Sequence, residues 1–276
     1  MQQRLSSVAE ADRSAPLVLT SQPAPGVVQL TLNRPQSRNA LSRDMLAALL
    51  IGIADASVDP TVKAVVLAAD GSVFCAGHDL KELTAHRADP DGGRAFFDAT
   101  MASCSAMMQA ITTSPKPFIA AIEGMASAAG CQLVATCDLA VAAEEAKFAT
   151  PGVNIGLFCS TPMVAVSRSV APKHALEMLL LGEPIDAETA LRFGLINRAV
   201  PVGDVRRTAI ALASLIASKS ADTIATGKRA FYQQREMGLS AAYDHCSRVM
   251  VENLLARDAK EGICAFIEKR AAVWEG

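Results

Sequence analysis

Two short stretches carry the residue types that chemistry at a carbonyl needs. The first is Phe74-Cys75-Ala76-Gly77-His78-Asp79-Leu80, directly after an apolar run. The second is Gly124-Met125-Ala126-Ser127-Ala128-Ala129-Gly130-Cys131-Gln132, which also follows an apolar run and opens into a helical pattern. Small residues at such a junction let a ligand approach the backbone. Free N–H groups at the start of a helix attract negative charge. Two such loops facing one point would make an oxyanion hole, two backbone donors aimed at a developing negative oxygen. On spacing alone, tight turns needed only for packing are the readier explanation of each.

Loops of this kind need a frame. Ala64–Ala69 is a continuous apolar run, the mark of a strand buried on both faces. Pro117–Ile122 reads the same way, and Leu139–Ala142 as a third strand. Leu17–Thr20 and Val27–Leu32 flank Pro23-Ala24-Pro25-Gly26, which predicts a hairpin. Ser42 caps a helix that carries Met45, Leu46, Leu49, Leu50 and Ile53 on one face. Leu80–Asp91 is mixed and charged and ends in Asp89-Pro90-Asp91-Gly92-Gly93, which reads as a turn or mobile loop, and Arg94–Thr112 has helical spacing. Met125–Cys137 starts flexible and small, then turns helical. After Pro162 the pattern predicts helices only, over Pro172–Leu181, Asp186–Phe193, Val202–Ser218, Asp222–Gln234, Leu239–Ala256 and Lys260–Val273. The expected architecture is α/β, with a floppy N-terminus over 1–15, a core over 16–200 and a helical region over 201–276. That last region is too apolar to stand alone and should pack on the body or on a neighbouring subunit.

Composition removes several function classes. Hydrophobic residues make up 51% of the chain, enough for a large core and too many for a disordered chain. The net charge is −2 with the signs interspersed, and aromatics are 4%. Neither a basic face nor a base-stacking platform for nucleic acid is expected. No apolar run is long enough to span a bilayer, so no membrane partner is expected. The seven cysteines are scattered without a CxxC pair. That points to reduced thiols in a cytoplasmic protein rather than disulfides or a zinc site. Glu10 and Asp12 near the start of the chain argue against a signal or transit peptide.

Six collinear stretches then give a resemblance: LTLNRPQSRNALS (Leu30–Ser42), FCAGHDLKEL (Phe74–Leu83), EGMASAAGCQLVATCDLAVA (Glu123–Ala142), KFATPGVNIGL (Lys147–Leu157), ALEMLLLGEPIDAETALRFGLINRAVP (Ala175–Pro201) and DAKEGICAFIEKR (Asp258–Arg270). Together they resemble the crotonase superfamily, the enoyl-CoA hydratase/isomerase family. GHDLKEL, AAGCQLVA and FATPGVNIGLFCSTP are most similar to its enoyl-CoA hydratase domain-containing subgroup. The resemblance implies a crotonase-like spiral of ββα units with a C-terminal helical trimerisation region. It implies a homotrimer or dimer of trimers acting on an acyl-CoA thioester in fatty acid metabolism. No separate cofactor is implied, because coenzyme A is part of the substrate. By motif position the oxyanion donors are the N–H groups of His78 and Ala129. Position 129 is usually glycine in the family, and alanine still offers its N–H.

One departure matters more. Family hydratases place glutamates where this chain has Gln132 and Gly152. Glutamine cannot exchange a proton near neutral pH and can only orient a water. Glycine offers no side chain. The resemblance therefore carries over a binding apparatus and not the acid–base pair. His78, Asp79, Glu123 and Cys159 are weighed as substitutes, and none is assigned the proton. Arg34, Arg38, Lys81, Lys269 and Arg270 suit the phosphates of CoA. Phe266 and Phe231 could pad adenine or acyl chain. Ala76, Ala128 and Gly156 leave room for pantetheine and thioester, and Asp79, Leu80, Pro151 and Gly152 complete the expected lining. Hydration of a trans-2-enoyl-CoA is the nominal reaction. Isomerisation, decarboxylation and thioester hydrolysis are its rivals, and a catalytically silent CoA-thioester-binding protein is the non-enzymatic alternative.

Overall fold

A computed structural model describes residues 15–275. The chain begins with strands β1 (Val18–Ala24) and β2 (Val27–Leu32), an antiparallel hairpin turned at Pro25-Gly26. Helix α1 (Arg43–Val58) follows. Ser42 caps it by accepting from the Met45 N–H, and Met45, Leu46, Leu49 and Ile53 are buried. Strands β3 (Ala64–Ala69), β5 (Phe118–Ile122), β7 (Leu139–Ala143) and β10 (Arg198–Val200) complete a six-stranded sheet in the order β1-β2-β3-β5-β7-β10. From β2 onward its neighbours pair in parallel, and β3 and β5 are buried at every residue. Their unbroken apolar runs are what a parallel strand covered on both faces requires.

A second sheet holds the strands that carry the site. It comprises β4 (Val73–Cys75), β6 (Met125–Ser127), β8 (Lys147–Ala149) and β9 (Ile185–Asp186), in that order. Successive units of the chain give one strand to each sheet: β3 then β4, β5 then β6, β7 then β8. This is the expected spiral of ββα units. The associated helices are α2 (Leu80–Ala85), α3 (Arg94–Thr113), α4 (Ala129–Thr136) and α5 (Ser160–Ser169).

The C-terminal part contains α6 (Pro172–Leu181), α7 (Ala187–Phe193), α8 (Val205–Ala217), α9 (Ala221–Gln234), α10 (Leu239–Leu255) and α11 (Arg257–Glu268). Helix α8 lays Val205, Ala209 and Ala213 against β3, β5 and β7, using the spacing that keeps side chains on one helical face. Arg206 on the same helix bonds the Ala69 carbonyl, Asp70 and Glu123 at the strand ends. Helix α9 is tied in through Lys228, whose ammonium bonds the carbonyls of Ile111 and Lys116 (2.8 Å each) and Asp138 (2.7 Å). Helix α10 buries no residue, and Leu239, Tyr243, Met250, Val251 and Leu255 are all more than half exposed.

Several expectations need correction. The region after Pro162 is not helical throughout, since β9 and β10 lie within it and pair with β8 and β7. Both are too short to show a periodicity of their own. The last helix ends at Glu268 rather than Val273, because Lys269 takes a left-handed conformation (φ 56°) and its N–H caps the Ala265 and Phe266 carbonyls. A left-handed residue is the usual way a helix stops. Within the mixed charged segment Leu80–Ala85 is a helix and His86–Ala88 a 3-10 turn, and the turn expected over Asp89–Gly93 follows them. Met125–Ser127 is a strand rather than a flexible lead-in. The floppy N-terminus expected over 1–15 falls, except for Ala15, outside the described residues.

Candidate active site

The two motif loops meet. Gly77 has φ +94°, a left-handed conformation that favours glycine. A methyl group on it would stand 2.9 Å from the Ala128 Cβ and 3.4 Å from the Ala129 nitrogen. Gly130 is pressed still closer to β4, where a methyl would stand 2.2 Å from the Cys75 carbonyl oxygen. These contacts clamp the N-terminus of α4 onto the 76–79 loop. On the far side, the Ala128 N–H donates to the Ala149 carbonyl (2.9 Å) at the end of β8.

Two backbone donors are left free at this junction. Leu41 pairs with His78 as a parallel bridge: its N–H donates to the Gly77 carbonyl (2.8 Å) and its carbonyl accepts from the Asp79 N–H (3.3 Å). Both bonds use the residues flanking His78, so the His78 N–H faces away from Leu41. Ala129 is the first residue of α4, where an N–H has no intrahelical acceptor. Among the described residues no backbone carbonyl takes either N–H. Ala128 holds the turn between them at φ 50°, ψ −116°, a conformation unusual for a non-glycine residue.

The loop is held by charge as well. Asp79 accepts from the Lys81 and Glu82 N–H groups as the cap of α2, and from Arg34 at 2.9 Å. Partial burial pushes the Asp79 carboxyl up, but these bonds outweigh it and hold the group below the usual carboxylate value. Asn39, fully buried, accepts from the Arg34 N–H and donates to the Asp70 and Val73 carbonyls. Because the folded pKa of Asp79 is depressed, its contribution is present above the ordinary carboxylate value and is lost as pH falls through the lower one. Amide protection at Lys81 and Glu82, the measured exchange rate set against the intrinsic rate at the same pH, is expected to fall below about pH 4. Asp79→Asn should show fast exchange there at neutral pH too. Full protection in that variant, unchanged across the same pH range, would remove Asp79 from the role.

The structure sorts the expected site residues. Ala76 donates to the Arg38 carbonyl (3.1 Å), so Arg34, Arg38, Ala76, Gly77, His78 and Asp79 form one cluster against Ala128 and Ala129. Arg34 is committed to Asp79, while Arg38, Leu80 and Lys81 are exposed at its edge. Gln132 lies one turn along α4 and is buried, beside a groove of about 690 Å³ also lined by Met108, Thr161, Val164 and Phe231. That volume is in the range of small-molecule sites. Gly156 is exposed, in a left-handed turn (φ +76°). Phe266 (85% exposed) and Lys269 belong to the α11 end, which packs chiefly on α9 and α10 and is not brought to the two loops. Glu123 is engaged by Arg206 at 3.1 Å.

Gly152 is more than a missing side chain. It lies in the 3-10 turn Pro151–Ile155, and the next segment folds over it. A methyl there would stand 2.8 Å from the Leu157 carbonyl oxygen and 3.0 Å from the Cys159 Sγ. The space a glutamate would need is filled. Burial pushes the Cys159 thiol above its ordinary value, with the Gly152 N–H opposing, so the thiol stays protonated. Gly152→Glu is therefore expected to destabilise the chain by about 1–3 kcal/mol, as overpacking does, without raising turnover of an enoyl thioester. Thermal unfolding and a hydration assay on the variant check both halves. A gain in hydration would show that the turn can open.

Sequence reasoning missed Asn39, Thr150 and the closing of 157–159 over Gly152. Only the asparagine type at position 39, where φ is 51°, hints at the first, since asparagine tolerates that region. The others depend on chain reversals far from either motif. Among the described residues no group of three His, Cys, Asp or Glu side chains is placed to hold a metal ion, and no helix is long and apolar enough to cross a membrane.

Comparison with known proteins agrees with this geometry. Residues 23–276 match the enoyl-CoA hydratase/isomerase family. A rat protein, enoyl-CoA hydratase domain-containing protein 3, mitochondrial, is 46% identical over 261 residues, covering 95% of this chain and 85% of its own. Its name places that protein in mitochondria, which does not match the cytoplasmic expectation. The crystal structure of human enoyl-CoA hydratase domain-containing protein 3 is 44% identical, with a TM-score of 0.88 over 94% of this chain and 100% of that one. An enoyl-CoA hydratase structure from Mycobacterium smegmatis is 48% identical, with a TM-score of 0.89 over 94% of this chain and 99% of that one. With the spiral of paired strands and the clamped loops, these matches show that the chain belongs to the enoyl-CoA hydratase/isomerase family.

Proposed function

We propose that this chain is an enzyme acting on acyl-CoA thioesters, with hydration of a trans-2-enoyl-CoA as its nominal reaction. The observation that carries this is the pair of free N–H groups on His78 and Ala129, held together by Gly77. Addition of water to the enoyl β-carbon pushes negative charge onto the thioester oxygen. Fixed donors aimed at that oxygen lower the barrier by a few kcal/mol each. Gln132 orients the water or the acyl group, and Arg38 and Lys81 meet CoA phosphates. No cofactor beyond the substrate's own coenzyme A enters the reading.

The filled space at Gly152 favours a second reading. With Gln132 and Gly152 in place of carboxylates, decarboxylation or thioester hydrolysis asks less of these two positions than proton abstraction does. Pure enzyme incubated in D2O with crotonyl-, butyryl- and malonyl-CoA, followed by mass spectrometry, separates the cases. Gain of water, or deuterium at Cα, supports enolate chemistry. Free CoA or loss of CO2 moves the assignment to the second reading. Unchanged thioesters with binding confirmed would make the chain a binding protein.

The bare apolar face of α10 supports the proposal of a homotrimer or a dimer of trimers, since a contiguous apolar surface marks an interface. Light scattering is expected to give three or six times the chain mass of 28.9 kDa. Leu239→Glu together with Leu255→Glu should shift that toward the monomer.

A further inference from the structure

The chain leaves β3 at Ala69 and runs through β4 into the loop that bears His78. It leaves β5 at Ile122 and runs through β6 to Ala129 at the start of α4. The two exits touch, since a methyl on Gly124 would stand 2.1 Å from the Ser72 carbonyl oxygen. Beyond them β4 and β6 pair only at Val73 with Met125 and Cys75 with Ala126, and the register shifts between the two. That leaves few shared backbone bonds to hold the loops level. One side chain joins the exits directly. Arg206 donates from Nη2 to the Ala69 carbonyl (2.7 Å) and to Asp70 Oδ1 (3.0 Å), and from Nε to Glu123 Oε2 (3.1 Å). The Asp70 carbonyl passes the tie on by accepting from Asn39 Nδ2 at 2.9 Å. Asn39 also donates to the Val73 carbonyl at 2.8 Å, where β4 begins.

We infer that Arg206 is a positioning residue, whose guanidinium holds the exits of β3 and β5 at a fixed separation and so sets the spacing of the His78 and Ala129 N–H groups. This rests on the reading of those two groups as the thioester site. Arg206 acts through the loops and not on the substrate. Asp70 and Glu123 carry like charges at the ends of neighbouring strands, and like charges repel. Among the described residues Arg206 is the one cation paired with either of them. Its guanidinium is rigid and planar, with Nε and Nη2 along one edge. The gap between the two carboxylates is therefore set by covalent geometry rather than by the swing of a flexible chain. The base of the clamp is firm as well, because α8 lies against β3, β5 and β7. A lysine would neutralise the same charge with a compact ammonium and no fork. Charge alone keeps the carboxylates from parting, and the fork fixes how far apart they stand. The helix that opens the C-terminal bundle thereby takes part in shaping a site whose loops belong to the α/β body.

Isotope-edited infrared spectra of butyryl-CoA, labelled with carbon-13 at the thioester carbonyl, test this without requiring turnover. Two fixed donors polarise the bound carbonyl, so its stretch in the wild type is expected to lie below that of the free ligand. Arg206→Lys should lose about half of that shift or more, because a small displacement spoils donor geometry. Its affinity for butyryl-CoA should stay within about threefold of wild type, since ground-state binding rests on the whole ligand. Arg206→Gln should lose as much of the shift or more, and it decides if Arg206→Lys does not fold. Arg207→Gln is the control, an exposed neighbour paired with Asp204, and should keep the full shift. A full shift in Arg206→Lys overturns the proposal, and so does an equal loss in Arg207→Gln. A wild type that binds butyryl-CoA without any shift, or does not bind it, overturns the thioester site itself.

Discussion

Gly77→Ala is expected to lower kcat/KM for the thioester substrate by about 100-fold or more, the cost of losing one oxyanion donor. The added methyl falls 2.9 Å from the Ala128 Cβ and 3.1 Å from the Ser127 carbonyl oxygen, both fixed parts of the facing loop. One loop must retreat, and either retreat separates the two N–H groups. The left-handed backbone adds a penalty of about 1–2 kcal/mol for any L side chain. Gly194→Ala is the control: it has φ +85°, but its nearest neighbour would be the Ser169 carbonyl oxygen at 3.5 Å. The control should lose only the backbone penalty and keep its activity. Activity of Gly77→Ala within about threefold of wild type would mean that these loops are not the oxyanion site.

The second large effect lies away from the site. Lys228→Met should destabilise the chain by about 3–5 kcal/mol, the usual cost of breaking a buried ion pair from one side. At this chain length that lowers Tm by about 10 °C. The Lys228 side chain is 6% exposed and its ammonium satisfies two carbonyls and the Asp138 carboxylate. Burial holds the Lys228 pKa below its usual value, and the Asp138 carboxylate at 2.7 Å opposes that shift. Asp138 also accepts from the Phe118 N–H and the Tyr232 hydroxyl, so the carboxylate stays buried when the cation goes. Tyr232→Phe removes one neutral donor and should cost about 1 kcal/mol. Differential scanning calorimetry that ranked the two variants the other way would place the anchor of α9 elsewhere.

Much of this frame is legible in the residues themselves. Ala64–Ala69 and Phe118–Ile122 announce themselves because a strand covered on both faces has no polar residue to interrupt it. Ser42 is legible as a cap because its side chain acts within three residues. Strands β4, β6 and β8 are a different case. Each has three residues, and each exists because it pairs with the next, so no local period reveals them. The two loops are visible as small-residue junctions after apolar runs, but spacing alone fits tight packing turns as well, and the six collinear stretches are what set them apart. The filling of the Gly152 position is not readable, since it depends on the turn at Gly156 bringing Leu157 and Cys159 back.

Ala128 has a consequence for how a ligand is received. A non-glycine residue at φ 50°, ψ −116° persists only because its surroundings leave it no alternative. Here those surroundings are Gly77 on one side and Ala149 on the other. The cost of shaping the donors is thus met once, when the chain folds, and not again at each encounter. A thioester arriving at such a site finds the receptor already set. Association should be a single step, with an observed rate rising linearly with ligand concentration and no plateau from a slow rearrangement.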